Sequence, residues 1–442
     1  MTTSTVTFLG PGAASIQRCA NCGAERHELD FASSCACGGL LDIVHGPPVD
    51  HTGASLSATA LRTQFGVRPV GVPSGVWRFG SLVMPTAGDA IVSHPEGNTP
   101  LLSRSAIDRF VGVDGLRVKH EGHNPTGSFK DRGMTVGVTQ AVRLGATAVA
   151  CASTGNTSAS LASYAAHAGI PGLVFVPEGR VALGKMAQTL GYGARTLVVR
   201  GDFDACLRLA QDASRELGIY LLNSINPWRV EGQKTIVFEL LQQLDWQAPD
   251  FIVLPAGNLG NTAAFGKALR EAIHLGLIDH MPRLVAVQAA GAAPFAHGFR
   301  NGFATRRPVV AETIATAIRI GDPASWDRAV RAIRETDGLV LSCTDEEIIT
   351  AKMVVDAAGV GCEPASAASI AGVRQLVHDG VIRSGDRVVA VLTGHILKDP
   401  GILVELHQRT DMALANPPVE IEADVRAISR ILDQMMSAER HA

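Results

Sequence analysis

The chain has 442 residues, a net charge of −3, 46% hydrophobic residues and only 5% aromatic ones, the profile of a globular protein long enough to bury more than one core. At about 150 residues per domain, that length predicts two or three domains. Near-balanced charge without a long basic run argues against a nucleic-acid or membrane-surface partner, no apolar stretch approaches the ~20 residues that cross a bilayer, and the start Met1-Thr2-Thr3-Ser4 lacks the basic and apolar regions of a secretory signal, so the cytoplasm is the expected location.

Residues 1–48 form the first expected module. Cys19-Ala20-Asn21-Cys22-Gly23 and Cys35-Ala36-Cys37-Gly38 are two cysteine knuckles, and together they resemble a zinc ribbon. In such a ribbon the four thiolates would hold a zinc ion that folds a unit too small for a core of its own. The second knuckle is Cys-x-Cys, one residue short of the usual spacing, so free thiols packed on a neighbouring body are the competing expectation. Cys151, Cys206, Cys343 and Cys362 stand singly in apolar or helical contexts and read as small buried hydrophobes. Residues 49–92, rich in Pro, Gly and Val and without periodicity, predict an extended arm crossing the surface of the main body.

From Glu96 onward short apolar runs alternate with helical patterns. Strands are expected at Leu116 to Lys119, Ala148 to Ala150, Leu173 to Val176, Arg195 to Val199, Phe251 to Leu254, Leu284 to Gln288 and Arg387 to Leu392. Helices are expected at Gly133 to Leu144, Ser158 to Ala168, Leu183 to Leu190, Phe203 to Leu217, Gly232 to Leu244 and Thr262 to Leu275. This alternation predicts an α/β architecture, parallel sheets flanked by helices on both faces. The expected division is a large α/β domain from 93–145 and 220–410, a small mobile α/β domain at 146–219, and a C-terminal helix within 411–442, where Ile421 to Met436 is amphipathic.

Three turns inside this alternation carry chemistry. In His123-Asn124-Pro125-Thr126-Gly127-Ser128-Phe129-Lys130, proline fixes one backbone angle and glycine permits another, so Lys130 is held between a rigid turn and a helix start. A lysine so placed can form a Schiff base with a carbonyl, and pyridoxal phosphate is the common partner. Taken alone, a lysine on a helix is usually a surface residue; its company is what changes that reading. Ser153-Thr154-Gly155-Asn156-Thr157 and Gly257-Asn258-Leu259-Gly260-Asn261 each follow an apolar run and precede a helix, where unpaired N–H groups and positive dipole suit anions. The first turn suits a carboxylate, the second a phosphate ester.

The segments HNPTGSFKDRGM, STGNTSASLASYAA, NSINPWRVEGQKT, PAGNLGN, CEPASAAS and TGHILKDP, in this order, resemble the threonine synthases, pyridoxal-phosphate enzymes of the tryptophan synthase β fold (fold type II). The likeness spans roughly residues 90 to 400. It implies that Lys130 is the Schiff-base lysine, that Asn156 meets the phenolic oxygen of the ring, and that Gly257, Asn258, Leu259, Gly260 and Asn261 bind the cofactor phosphate. It further implies Thr393 at the pyridine nitrogen, Ser153, Thr154 and Thr157 at the substrate carboxylate, and Asn223, Ser224 and Arg229 at a substrate phosphate. The implied reaction converts O-phospho-L-homoserine and water to L-threonine and phosphate, in an enzyme that is expected to be a homodimer.

Two departures touch the likeness: the short cysteine knuckle, and Ile396 where a glycine is usual, a change expected to reshape the pocket wall. Ile396 also keeps a cysteate synthase reading open. A serine or threonine dehydratase, which needs no substrate-phosphate clamp, and a catalytically silent regulatory protein stay open beside it. His395 reads as a loop histidine bonded to backbone sooner than as an acid or base, and Glu363, ahead of Pro364, as a helix-start charge sooner than as a catalyst.

Overall fold

Thirteen strands build three sheets among the described residues, which are 8–11, 13–66, 74–179, 183–201, 203–409, 411–412 and 414–439 of the computed structural model. They are β1 (Ile16–Cys19), β2 (Glu25–His27), β3 (Leu41–Val44), β4 (Leu101–Leu102), β5 (Arg117–His120), β6 (Ala148–Ala152), β7 (Gly172–Pro177), β8 (Arg195–Val199), β9 (Ile219–Leu221), β10 (Phe251–Pro255), β11 (Arg283–Ala289), β12 (Leu339–Cys343) and β13 (Val388–Leu392). The chain falls into two units, residues 1–399, which hold all three sheets, and 400–442.

The N-terminal sheet is antiparallel, in the order β2-β1-β3. The largest sheet runs β12-β11-β10-β13-β5-β4 and is parallel except for the edge strand β4, while β8-β7-β6-β9 is parallel throughout. Parallel strands buried on both faces need apolar side chains at odd and even positions alike. In the four-stranded sheet Ala148, Ala150, Ala152, Phe175, Ile219 and Leu221 pack on one side, and Val149, Cys151, Val174, Val176, Tyr220 and Leu222 on the other. That is the period-2 alternation of a strand, with both registers apolar.

All seven expected strands are present within one or two residues. Strands β4, β9 and β12 of the α/β sheets are additions; each is a short apolar run that periodicity alone does not separate from a loop.

The segment 49–92 differs from expectation. It carries the helix Ala58–Gly66 and a further helical stretch from Trp77 to Val83, and its Phe65, Val76, Trp77, Phe79 and Leu82 are buried in the same core as Trp228 and Phe238. Its few large side chains therefore act as core material, where an extended surface arm was expected. Residues 67–73 of this segment lie outside the described residues.

Two helix starts also move, and both bear on the site. The lysine helix is Lys130–Arg143, so Lys130 is its first residue. The next long helix of the large sheet's flank begins at Pro227 and runs to Gln243. Its cap explains the earlier start: the Asn226 side chain accepts from the backbone N–H groups of Trp228 at 3.0 Å and Arg229 at 3.3 Å, and Pro227 supplies the preset φ of a first helical position. Arg229 thus sits on the first turn of a helix and not on a loop before it.

The unit 400–442 contains the helices Pro400–Gln408 and Val425–Glu439. Among the described residues no helix is long and apolar enough to cross a membrane.

Candidate active site

A cavity of about 920 Å³ opens at the carboxyl ends of β5, β6, β9, β10 and β13, the edge at which parallel α/β sheets bind ligands. It is lined by Lys130, by Ser153, Thr154, Asn156 and Thr157, by Asn223, Ser224 and Arg229, by Gly257 to Asn261, and by Thr393. Every candidate cofactor and substrate residue named from the sequence is therefore brought to one wall or another of a single space. Cys19, Cys22, Cys35 and Cys37 lie apart from it.

The lysine loop is fixed from two sides. Asp131 accepts from the Thr126 backbone N–H at 2.7 Å and from the hydroxyls of Thr126 and Ser160, both at 2.6 Å. On the other side the Phe129 N–H donates to the Thr393 carbonyl at 3.0 Å, the His395 N–H to the Gly127 carbonyl at 2.8 Å, and Lys398 Nζ to the Thr126 carbonyl at 2.9 Å. The Lys130 amine lies 3.6 Å from the centre of the Phe129 ring. Loss of hydration, with Arg229 nearby, lowers its pKa to about 7 against the opposing pull of Glu363. Unprotonated lysine is the nucleophilic form, and burial makes it available near neutrality.

Two helix N-termini face the cavity without side-chain caps. The helix Asn156–Ala168 starts after Gly155, and the helix Gly260–His274 after Leu259; neither preceding residue caps its helix through a side chain. Two other long helices, by contrast, are capped, one by Asn226 and one by the Thr344–Glu347 capping box. Uncapped N–H groups pointing into a cavity are an anion site.

At the second turn Leu259 adopts φ +63°, a left-handed conformation costly for a residue with a Cβ. A Cβ on Gly257 would lie 2.9 Å from the Ile318 Cα, so only glycine lets this loop pass the neighbouring backbone. Asn258 steadies the loop, donating to the Ser224 hydroxyl and accepting from the Ala324 N–H at 2.6 Å.

Arg229 is 1% exposed. Its Nη1 donates to the Leu222 carbonyl at 3.0 Å, but Nε and Nη2 are buried without a partner. Burial holds its pKa down at about 10, so the guanidinium is still a cation at neutral pH. Unsatisfied charged donors in a cavity wall are expensive unless a ligand meets them, and a planar fork of N–H groups matches a phosphate. Asn223 exchanges hydrogen bonds with the Ala152 backbone, at 3.1 Å as acceptor and 3.3 Å as donor, which joins this region to the Ser153–Thr157 turn.

Glu363 has a different place from the one expected. It does precede the helix Pro364–His378, but its side chain makes no capping bond. Instead the carboxyl turns into the cavity and accepts from Asn156 Nδ2 at 3.0 and 3.2 Å. Sequence reasoning missed it because a glutamate beside a helix start is ordinary; Lys398 and Gln188, also in the lining, carry no local signal either. His395 lines the cavity and its Nδ1 accepts from the Leu397 N–H at 3.2 Å, the backbone-bonded arrangement expected. Ile396 packs against Gly361, and the cavity is lined at this loop by His395, Leu397 and Lys398. Ile396 itself is not among the lining residues.

The sulfur atoms of Cys19, Cys22, Cys35 and Cys37 lie within 4.8 Å of one another, and all four are free thiols. The short second knuckle does not prevent convergence, since Cys35 and Cys37 approach Cys22 at 3.7 and 3.5 Å.

The model of the family described as "Pyridoxal-phosphate dependent enzyme" matches residues 92–394. The chain belongs to the pyridoxal-phosphate dependent enzymes. Its relatives include a threonine synthase of Methanocaldococcus jannaschii, 43% identical over 95% of this chain and 100% of that protein. Another, of Methanosarcina acetivorans, is 46% identical over 90% of this chain and 96% of the relative. Among solved structures, threonine synthase from Escherichia coli superposes with a TM-score of 0.68 at 18% identity, covering 95% of this chain and 100% of that one. Maize serine racemase superposes at 0.61 and 23% identity, over 75% and 95%; both likenesses are of fold.

The residues of this pyridoxal-phosphate dependent enzyme fit the cofactor. Lys130 offers a near-neutral amine. The uncapped start of the helix Gly260–His274 adds buried polar atoms with no protein partner, the Asn261 amide and the Thr262 hydroxyl, in position for a phosphate ester.

Proposed function

We propose that this chain is a threonine synthase converting O-phospho-L-homoserine and water to L-threonine and phosphate. The observation that carries the substrate is Arg229, a buried cation with two free donors in the same cavity as the reactive lysine and on a different helix start from the turn suited to the cofactor phosphate. A second anion-recognition point is what a phosphorylated amino acid needs and what a dehydratase substrate does not. Two relatives that align with nine-tenths or more of the chain, both threonine synthases, support the same choice.

Pyridoxal phosphate supplies, when bound, an electron sink for the carbon beside the substrate nitrogen. In the proposed site Lys130 is the catalytic residue, and Asn156, Thr393 and the Gly257–Asn261 loop hold the cofactor. The Ser153, Thr154 and Thr157 turn receives the substrate carboxylate at an uncapped helix start. Arg229, with Asn223 and Ser224, receives the phosphate and retains it as it leaves.

Lys130 Nζ, with a pKa of about 7 in the free protein, suits both acid and base roles, because it can take a proton from Cα or Cβ and return one near neutral pH. A hydroxyl at Thr393, unlike a carboxylate, does not force protonation of the pyridine nitrogen, which favours elimination and replacement over transamination. Water enters at Cβ once the phosphate has left Cγ. Closure of the 146–219 unit over the substrate would keep other water out.

Four converging thiols support zinc at Cys19, Cys22, Cys35 and Cys37. The proposal includes a homodimer in the cytoplasm, supported by the exposed apolar residues Val425, Ile428, Leu432 and Met435 of the terminal helix and by the biosynthetic character of the relatives.

Steady-state assays against O-phosphohomoserine, O-phosphoserine with sulfite, and threonine, run in parallel, test the assignment. Phosphate and threonine released together from the first substrate alone is the expected result. Cysteate from the second, or ammonia from the third at comparable kcat/KM, would replace it with a cysteate synthase or a dehydratase.

A further inference from the structure

We infer that Glu363 is a positioning residue of this site, one buried carboxyl that fixes both Asn156 and Thr393 toward the cofactor space. The inference rests on the proposed placement of pyridoxal phosphate between those two side chains.

Glu363 is 5% exposed and is bound at both ends. Its backbone N–H donates to the Gly394 carbonyl at 3.1 Å, and a Cβ on Gly394 would collide with its carboxyl. The glycine after Thr393 is therefore what lets this carboxyl reach the cavity. An amide side chain has an NH₂ end and an oxygen end, and a carboxylate, which only accepts, selects the NH₂ end. With Glu363 accepting from Asn156 Nδ2 at 3.0 and 3.2 Å, the amide orientation is set, and its second N–H is left for the cavity.

Thr393 follows from a count of hydrogens. Ser366 Oγ accepts from the backbone N–H of Thr393 at 2.9 Å and of Gly394 at 3.0 Å, which uses both lone pairs of a hydroxyl. Its one hydrogen has two acceptors in reach, Thr393 Oγ1 at 3.0 Å and the Gly394 carbonyl at 3.5 Å, and the shorter contact is the one to Thr393. The single hydrogen of Thr393 cannot return to Ser366. It goes to Glu363 Oε1, 3.4 Å away, or to an acceptor in the cavity. Glu363 thus competes with a cavity ligand for one hydrogen while orienting the amide that faces the same ligand.

The charged groups around the carboxyl are Lys398, Lys130 and Asp399. Burial raises its pKa, opposed first by the Asn156 hydrogen bond and then by the two lysines. The same carboxyl raises the pKa of Lys130.

The full-length variants Glu363→Gln and Glu363→Ala test this. Each apoprotein is titrated with pyridoxal phosphate by visible absorbance, the pH midpoint of the bound band is measured, and kcat and KM for O-phosphohomoserine are determined. Glu363→Gln keeps an acceptor for Asn156 but loses the charge. It should bind cofactor, show a band whose midpoint lies at lower pH than wild type, and lose kcat about tenfold with KM little changed. Glu363→Ala should bind cofactor about tenfold more weakly, the worth of one lost hydrogen bond near 1.4 kcal/mol. Wild-type band, midpoint and kcat in Glu363→Gln overturn the inference, even where the alanine variant fails to fold. A wild-type protein that shows no band at all would instead remove the cofactor placement. A band without turnover of O-phosphohomoserine would remove only the substrate, leaving the spectral readouts to decide Glu363.

Discussion

Arg132 donates through Nε to Glu121 at 2.7 Å, and neither side chain reaches solvent. Glu121 is the first residue beyond β5, and Arg132 lies two residues after Lys130. The pair therefore ties the strand end to the lysine helix. Arg132 also reaches Glu239 at 2.8 Å, which pairs with Lys119 at 2.6 Å, and Glu239 belongs to the helix that begins at Arg229's end. One buried network thus spans the three elements that place Lys130 and Arg229, and Asn124 of the lysine loop joins it through Glu121 at 2.8 Å.

Removing one member of such a network leaves an uncompensated buried charge, at a cost of about 3–5 kcal/mol. Arg132→Leu is expected to lower the melting temperature sharply, and Arg132→Leu with Glu121→Leu to recover part of the loss. Thermal unfolding of the two variants checks this; equal stability to wild type in the single variant would show that the network holds nothing in place.

The Lys130 amine titrates at about 7 because burial strips its hydration. Its neutral fraction falls tenfold for each pH unit below that value and is nearly constant above it. Capture of pyridoxal phosphate by the apoprotein should accelerate from pH 5 to about 7 and then level off. An ordinary surface lysine would keep accelerating toward pH 10. Stopped-flow absorbance reads the profile, and borohydride trapping should place the cofactor on Lys130, with Lys130→Ala colourless and inactive.

Arg229 tests the substrate phosphate. Losing a charged hydrogen bond costs about 1.5–3 kcal/mol, so Arg229→Gln should raise KM for O-phosphohomoserine by roughly 10- to 100-fold. Arg229→Lys keeps the charge but not the fork, and should fall between. The cofactor spectrum should be preserved in both. Unchanged KM would move the phosphate elsewhere in the cavity.

The cysteine module predicts one zinc per chain by elemental analysis. Cys22 and Cys37 are exposed, so in the metal-loaded protein their slow reaction with a thiol reagent should become fast once a strong chelator is added. Cys35→Ser should lose the metal and lower the melting temperature. Fast thiol reaction before chelation would mean that the cluster holds no ion.

The α/β alternation and the order of the chemistry-bearing turns were legible in the chain because they rest on local physics. A strand buried on both faces is an uninterrupted apolar run, and a lysine between Pro-Thr-Gly and a helix start is held by backbone geometry that neighbours in sequence impose. Phe65, Trp77 and Phe79 were not legible as core, since a Pro- and Gly-rich segment shows no period even when its few aromatics are swallowed by a distant cluster. The start of the helix at Pro227 was written in Asn226 and Pro227, yet periodicity placed it at Gly232.

Sequence alone thus determined which turns lead into helix starts and which candidate residues those turns hold, since turn formation and helix starts depend on neighbours a few positions away. Only the tertiary structure decided that Glu363 abandons its own helix to bind Asn156, 207 positions earlier, that Arg229 keeps two donors open, and that Ile396 turns to Gly361. Those outcomes depend on burial and on which partners long-range packing leaves unsatisfied, and neither quantity is defined until strands distant in the chain share one sheet edge.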